Sequence, residues 1–368
     1  MRLVQFRVAC LLAISLTGIA QPKAQTLDSL LVNGGKKIGN NSYVAIPILF
    51  YGEETKWGFG ASAGYYRIKE GVNKASNIQG TAIYTQRKQF QFGLYPKIYT
   101  SNRNFYYSGH LKFSYYPDRF WGIGNNTSDT LEENYTPRMF SILFQRQRVM
   151  FGTIMAGIQY QFAYSDIAKF DSEGKLENSG LNGTNAFRTS GLGFLLTWDN
   201  RDNNFYPLNG EFYKLSLLVN SKIFGSSLSY SRLTLDLRNF YSIVGQHSVA
   251  LQVYTDFTWG DTPFQQMPSL GGNEILRGYY QGRYRDMLML SGQLEYRFPI
   301  YKRLKGAMFG AMGQVSNDLS NLTFHGFRYS AGGGLRFKVS PAKVHLRFDV
   351  GITEKGDAAL YFTASEAF

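Results

Sequence analysis

Residues 270–286 read LGGNEILRGYYQGRYRD and hold three arginines, Arg277, Arg283 and Arg285. A guanidinium is a planar fork of donors shaped for carboxylates. Two acids are placed to answer Arg277: Glu295, soon after the stretch, and Asp349 further along. Tandem glycines (Gly271, Gly272) and Gly278 let the backbone turn sharply and come close to other groups. Surface loops are normally polar and tolerant of change. This one has the content of a loop that folds inward and locks by charge pairing. Arg277 is expected to pair with Glu295 or, failing that, Asp349, while Gly278 lets the chain pass close to a wall. The bland alternative is that Glu295 and Arg297 are merely wetted interior residues.

Signals for covalent chemistry are poor. Gly60-Ala61-Ser62-Ala63-Gly64 matches G-x-S-x-G. That motif needs a strand-to-helix elbow, and here it lies inside a strand-like run with no helix following. His110, His247, His325 and His345 are dispersed. No His/Cys/Asp grouping has metal-ligand spacing, and no phosphate loop is present. The chain is therefore read as a non-enzyme with no cofactor. Its one cysteine, Cys10, falls in the leading segment.

The elements that must position these residues alternate with period two. Over 287–300, Leu288, Leu290, Leu294, Tyr296, Phe298 and Ile300 share one face, and Ser291, Gln293, Glu295 and Arg297 the other. Over 343–353, Val344, Leu346, Phe348, Val350 and Ile352 oppose His345, Arg347 and Asp349. Runs over 89–99 and 248–259 do the same. They are about ten residues or more, the length of a tilted membrane strand and longer than most soluble ones. About sixteen such segments are expected: 43–51, 57–69, 75–87, 89–100, 104–116, 136–149, 150–164, 187–200, 210–222, 226–241, 246–260, 287–300, 304–315, 327–339, 343–354 and 358–368. Long connections fall at 117–135, 165–185 and 261–286. The fold expected is all-β, a transmembrane antiparallel β-barrel with a long inward-folded extracellular loop.

Residues 1–24 read as a signal peptide, with Arg2 and Arg7 before an apolar run too short to span a bilayer. A short polar periplasmic lead follows at 25–41, and the barrel at 42–368. The formal charge of +13 over 368 residues is scattered rather than clustered, which argues for a solvated lumen and a rim facing anionic lipid, not for nucleic acid.

Leu276-Arg277-Gly278-Tyr279 resembles the (V/I/L)RG(F/Y) signature of the BamA/TamA outer-membrane barrel family, the bacterial surface antigen family. Asp199, Arg201, Asp202, Pro207 and Gly210 resemble its D-x-R-D…P-x-x-G turn, though Asn, Asp, Pro and Gly also make ordinary turns. Gly292-x-x-Glu295-x-x-x-Pro299 is a third mark in the right order. The resemblance implies a sixteen-stranded barrel whose loop tucks into the lumen. Family members commonly carry an F-x-D-x-G strand after the glutamate, whose Asp pairs with the loop arginine. The run Phe309-Gly310-Ala311-Met312-Gly313 has Ala311 at that place, so the lock is expected to use another acid or to be weaker. The ending, with Phe362 and Phe368, resembles the C-terminal aromatic signal of outer-membrane barrels. Pro47 lacks a ladder donor and suits a sheet edge. It either marks a weak seam between first and last strands or simply begins the strand.

The resemblance implies insertion or translocation of proteins, or lipid, at the outer membrane of a Gram-negative bacterium. The periplasmic repeat domains of the family have no room in this chain. Expected surroundings are outer-membrane lipid, including lipopolysaccharide. A periplasmic or outer-membrane protein partner, or self-association, would stand in for the repeats. The rivals are a passive porin-like channel and an outer-membrane lipid hydrolase.

Overall fold

The period-two pattern sorts the chain into strands with one apolar and one polar face. The computed structural model describes residues 41–52, 55–67, 74–100 and 104–368. The expected signal peptide and most of the polar lead lie outside these residues. Sixteen long strands follow in order: β1 (Asn41–Gly52), β2 (Lys56–Arg67), β3 (Ser76–Thr85), β4 (Phe90–Tyr99), β5 (Phe105–Tyr115), β6 (Glu133–Phe151), β7 (Ile154–Lys169), β8 (Phe187–Asp199), β9 (Gly210–Asn220), β10 (Tyr230–Ser242), β11 (Ser248–Gly260), β12 (Leu288–Tyr301), β13 (Leu304–Ser316), β14 (Arg328–Lys338), β15 (His345–Thr353) and β16 (Ala358–Thr363). Shorter strands at Asp118–Phe120, Ser269–Leu270 and Tyr284–Arg285 belong to the connections. Each long strand pairs antiparallel with the next, from β1 through β16.

The faces are inverted relative to a soluble sheet. Phe59, Phe92, Phe144, Phe194, Leu294 and Phe348 are exposed on the outside. On β12 and β15 the buried face is charged, with Glu295, Arg297, Arg347 and Asp349. Apolar outside and polar inside is the pattern that lipid and an enclosed lumen impose. Among the described residues no helix is long and apolar enough to cross a membrane; the crossings are made by strands, whose backbone groups are paired with their neighbours.

The sheet curls until its ends approach. Ser42 Oγ on β1 lies 2.7 Å from Ser340 Oγ, in the turn between β14 and β15. Val44, Tyr66, Ala75, Ala342 and Val344 form one apolar cluster across that closure. Among the described residues no ladder joins β1 to β16. The three long connections, after β5, β7 and β11, share one end. The turns after β6, β10 and β12 lie at the other end, as expected for outer loops and periplasmic turns.

The expectation that the last strand runs to residue 368 is corrected. β16 stops at Thr363, and the tail turns inward, with Ala367 and Phe368 packed on Phe240 and Ala250. The cause is electrostatic: buried Arg336 and Arg297 take Glu366 Oε2 (2.8 Å) and the Phe368 carbonyl oxygen (3.2 Å) as acceptors. Purified in detergent, the protein is expected to give a sheet spectrum in circular dichroism with little helix. Folded protein should migrate faster than boiled protein on a gel. A substantial helical signal or identical migration would contradict the architecture.

Candidate functional site

The connection from β11 to β12 does not stay on the rim. A hairpin of Ser269–Leu270 against Tyr284–Arg285 closes its base. Within it Gly271 and Gly272 sit at φ +104° and +98°, and Gly278 at φ +121°, conformations open to glycine. Leu276 holds φ +58° without that freedom. Its side chain is fixed by burial with Leu270, Tyr279, Tyr284, Met289 and Val315.

Next to Leu276, Arg277 reaches the interior with no exposed surface. Its Nη1 donates to Glu295 Oε2 at 2.8 Å and to Asp349 Oδ2 at 2.6 Å. Both expected partners therefore serve at once. The guanidinium carbon lies 3.4 Å from the centroid of the Phe309 ring, a cation–π contact over the face. Glu295 is shared: Arg297 Nε donates to its Oε1 at 2.8 Å and Arg336 Nη2 to its Oε2 at 3.1 Å. Arg336 also donates to Asp349 Oδ1. Arg347 lies 3.6 Å from Asp349 Oδ2 and donates to the Asn273 carbonyl of the loop at 2.9 Å. Arg277, Arg297, Arg336 and Arg347 thus converge on Glu295, Asp349 and Glu366, all deeply buried. Wetted interior residues would not be shut away from water in this manner.

The backbone follows the same wall. A Cβ on Gly351 would fall 2.5 Å from the Arg277 carbonyl carbon, and one on Gly278 would fall 3.2 Å from Gly351. Two glycines, one on each chain, allow the crossing. Tyr361 on β16 completes it, accepting from Gly278 N–H at 2.9 Å and donating to the Tyr279 carbonyl at 3.2 Å. Ala311 packs against the loop's apolar cluster, so the acid sought there is indeed absent. An acid-x-glycine run occurs instead at Asp349-Val350-Gly351 on β15, where the acid takes Arg277 and the glycine admits the loop.

The loop's other arginines hold its outer part. Arg283 donates to Thr127 Oγ1 at 2.8 Å and to Asp129 at 2.5 Å in the β5–β6 connection. Hydrogen bonds from Lys355 and Arg283 hold the Asp129 carboxyl below its ordinary pKa. Arg285 forms a backbone bridge with Gly124 and donates to the Phe264 carbonyl at 3.3 Å.

The β8–β9 turn reaches the same site from the opposite end. Arg201 donates to both Asp199 oxygens, at 2.9 and 3.1 Å, and Asp202 Oδ1 accepts from Leu208 N at 2.9 Å. Gly210 sits at φ +105°. The Pro207 carbonyl accepts from Arg297 Nη1 at 3.4 Å, and the Tyr206 ring lies 5.2 Å from that guanidinium. Two motifs far apart in sequence therefore touch one arginine.

The Omp85 superfamily domain matches residues 50–368. The chain belongs to the Omp85 superfamily. Among solved structures it is similar to BamA from Haemophilus ducreyi lacking POTRA domains 1-3, with TM-score 0.58, 15% identity, and coverage of 90% of this chain and 71% of that one. It is also similar to CdiB from Acinetobacter baumannii (TM-score 0.54, 10% identity, 88% of this chain and 59% of that one). A third similar structure is CdiB from Escherichia coli (0.53, 10%, 88% and 61%). The chain thus spans less than two thirds of either CdiB. At these identities the likeness is one of fold. No curated protein sequence matches.

Within this Omp85 barrel the remaining expected residues are spread out. Pro47 lies mid-strand opposite Ala61, on the exposed face of β1, so it does not merely begin the strand. Phe362 faces outward on β16, but Phe368 is buried inside and is not an outward-facing strand end. Sequence reasoning missed Arg336, Arg347, Glu366, Phe309, Gly351 and Tyr361. The inward parity of Arg347 beside Asp349 was a usable signal; nothing in the local pattern announced that Glu366 leaves the sheet.

Because the charges are shared, losses are unequal. Arg277→Ala leaves Glu295 and Asp349 still neutralised by Arg297, Arg336 and Arg347. It should free the loop, seen as new protease cutting within 270–286, with the barrel intact. Glu295→Ala strands several guanidinia. Breaking a buried pair costs on the order of 3–5 kcal/mol, so this variant should unfold at clearly lower temperature than Arg277→Ala. The double variant should be less damaged than the sum of the two. Equal stability losses with full additivity would contradict a shared network.

Proposed function

We propose that this Omp85 barrel acts in the insertion or translocation of proteins, or lipid, at the outer membrane, and that it does so without catalysing a covalent reaction. The observation that carries the reading is the pairing of an internally locked loop with an unladdered edge. The loop is held by β12, β15 and β16, while β1 pairs only with β2 among the described residues. Pro47 on β1 offers no donor to a neighbour. An edge with few backbone bonds opens at lower cost than any other line along the sheet. Outer-membrane lipid surrounds such a barrel. A protein partner or a second copy would work with it there.

The Ser42–Ser340 contact supplies the test. Cysteines at both positions should form a disulfide that ties β1 to the β14–β15 turn; Cys10 lies in the expected signal segment and would not interfere. In vesicles containing the barrel, assisted folding of a second outer-membrane barrel should fall to background when the bridge is oxidised and return on reduction. Folded migration should be unchanged in both states. Undiminished assistance in the oxidised protein would remove the edge-opening reading. Large, steady conductance of the intact protein with no assistance would favour a passive channel instead.

A further inference from the structure

The interior is divided. Around Arg277 it is dry and filled. Along β4, β5, β9 and β10 it is wet: Lys97 and Lys112 project inward yet are exposed, and Lys214 is half-buried. Inward direction follows from register: Lys97 pairs opposite Ser108, Lys112 opposite Gly93, and Lys214 opposite Asp236. An inward residue that is still exposed must face a water-filled space.

These lysines lack the partners that the arginines have. Among the described residues no carboxylate is within ion-pair distance of Lys97, Lys112 or Lys214. Lys214 Nζ donates only to Gln145 Oε1, at 3.3 Å. Nearby acids are already engaged: Asp236 by Arg238 at 2.6 Å and by Gln252 at 2.7 Å, Asp199 by Arg201 and Lys74. Lys214 feels Asp236, which lies opposite it, and then Lys97 and Arg238, while Lys97 feels Arg238 and Arg201. Glu274, exposed on the inward loop, acts on Lys97 and Lys112 only through space, without an ion pair. The rest of the wall holds the mutually neutralising pair Arg232–Asp256 and the uncharged Tyr95, His110, Gln145 and Gln159; His110 bonds Ser141 at 3.1 Å, and the Gln159 amide nitrogen donates to Ser216 at 2.7 Å.

We infer that this lysine stripe lines a narrow, anion-selective permeation path beside the locked loop. Rings or stripes of lysine select anions by lowering their entry cost and excluding cations, and a low-dielectric wall focuses the field of like charges. Lumen residues of a barrel can be altered without touching the lipid-facing surface. The inference stands apart from the insertion reading, because ion flow through the lumen and strand insertion at the edge are measured separately.

The experiment is reversal potential in planar bilayers under a potassium chloride gradient, with purified folded protein. Wild type should conduct in small steps and favour chloride, less so as salt rises and screens the stripe. Lys97→Glu/Lys112→Glu/Lys214→Glu should invert the preference. Lys97→Gln/Lys112→Gln/Lys214→Gln should abolish it and covers failure of the acidic variant to fold, which gel migration reports. Arg277→Ala should enlarge the conductance while keeping the sign. Cation preference in wild type, unchanged selectivity in folded variants, or no conductance even from Arg277→Ala would each overturn the path.

Discussion

A guanidinium has no neutral form to retreat to at any pH a cell meets. Shut away from water, it must be answered by carboxylates or carbonyl oxygens, or it destabilises whatever holds it. Four arginines in this interior are exposed by no more than 1%. Their answers come from β12, from β15, from the inward loop and from the tail beyond β16. The demand is therefore met only when all of these are in place. A register slip of one residue on β12 would turn Glu295 and Arg297 outward to lipid and Leu294 inward. The network thus fixes register on several strands, in addition to holding a loop.

The loop's path follows from the same demand. Arg277 supplies one side chain, and the rest is close backbone contact. Gly278 against Gly351 lets the loop lie on β15, and Tyr361 bonds the two peptide groups that flank the crossing. Leu276 is held at positive φ by the apolar cluster around it. Burial of Leu276, Tyr279 and Leu270 pulls in the direction the charges require. One half of the lumen is consequently filled, and water keeps to the half where Lys97, Lys112 and Lys214 line the wall beside the paired Arg232 and Arg238.

The strands were legible because two solvents act on one sheet. Lipid outside and a polar lumen inside force period-two alternation, and each expected segment has a counterpart. The lock was legible in part. Parity gave the inward direction of Glu295 and Asp349, but it cannot tell which inward residues share a depth, so the dual pairing of Arg277 stayed open. Arg336 sits among glycines on β14, which weakens the alternation that would have drawn notice. The tail misled for a physical reason. Leu360 and Phe362 alternate as a strand should, whereas 364–367 are small or acidic. Glu366 gains more from Arg336 than from continuing a ladder.

These bonds also decide which side of an opening edge β16 would follow. Its ladder runs to β15, Tyr361 grips the loop backbone, Thr363 Oγ1 accepts from Arg347, and the tail is tied through Glu366 to Arg336. Each tie leads to the locked half. β1, by contrast, is bonded to β2 along its length and meets the far side through Ser42 and a small apolar cluster near the turn. Parting the sheet between β1 and β16 would therefore break side-chain contacts at one end and leave the ion pairs of the buried arginines intact. Parting it between β15 and β16 would break a ladder and uncover Glu366 and Arg336 together. On the proposed opening, β16 would therefore stay with the locked half and β1 would be the strand to move.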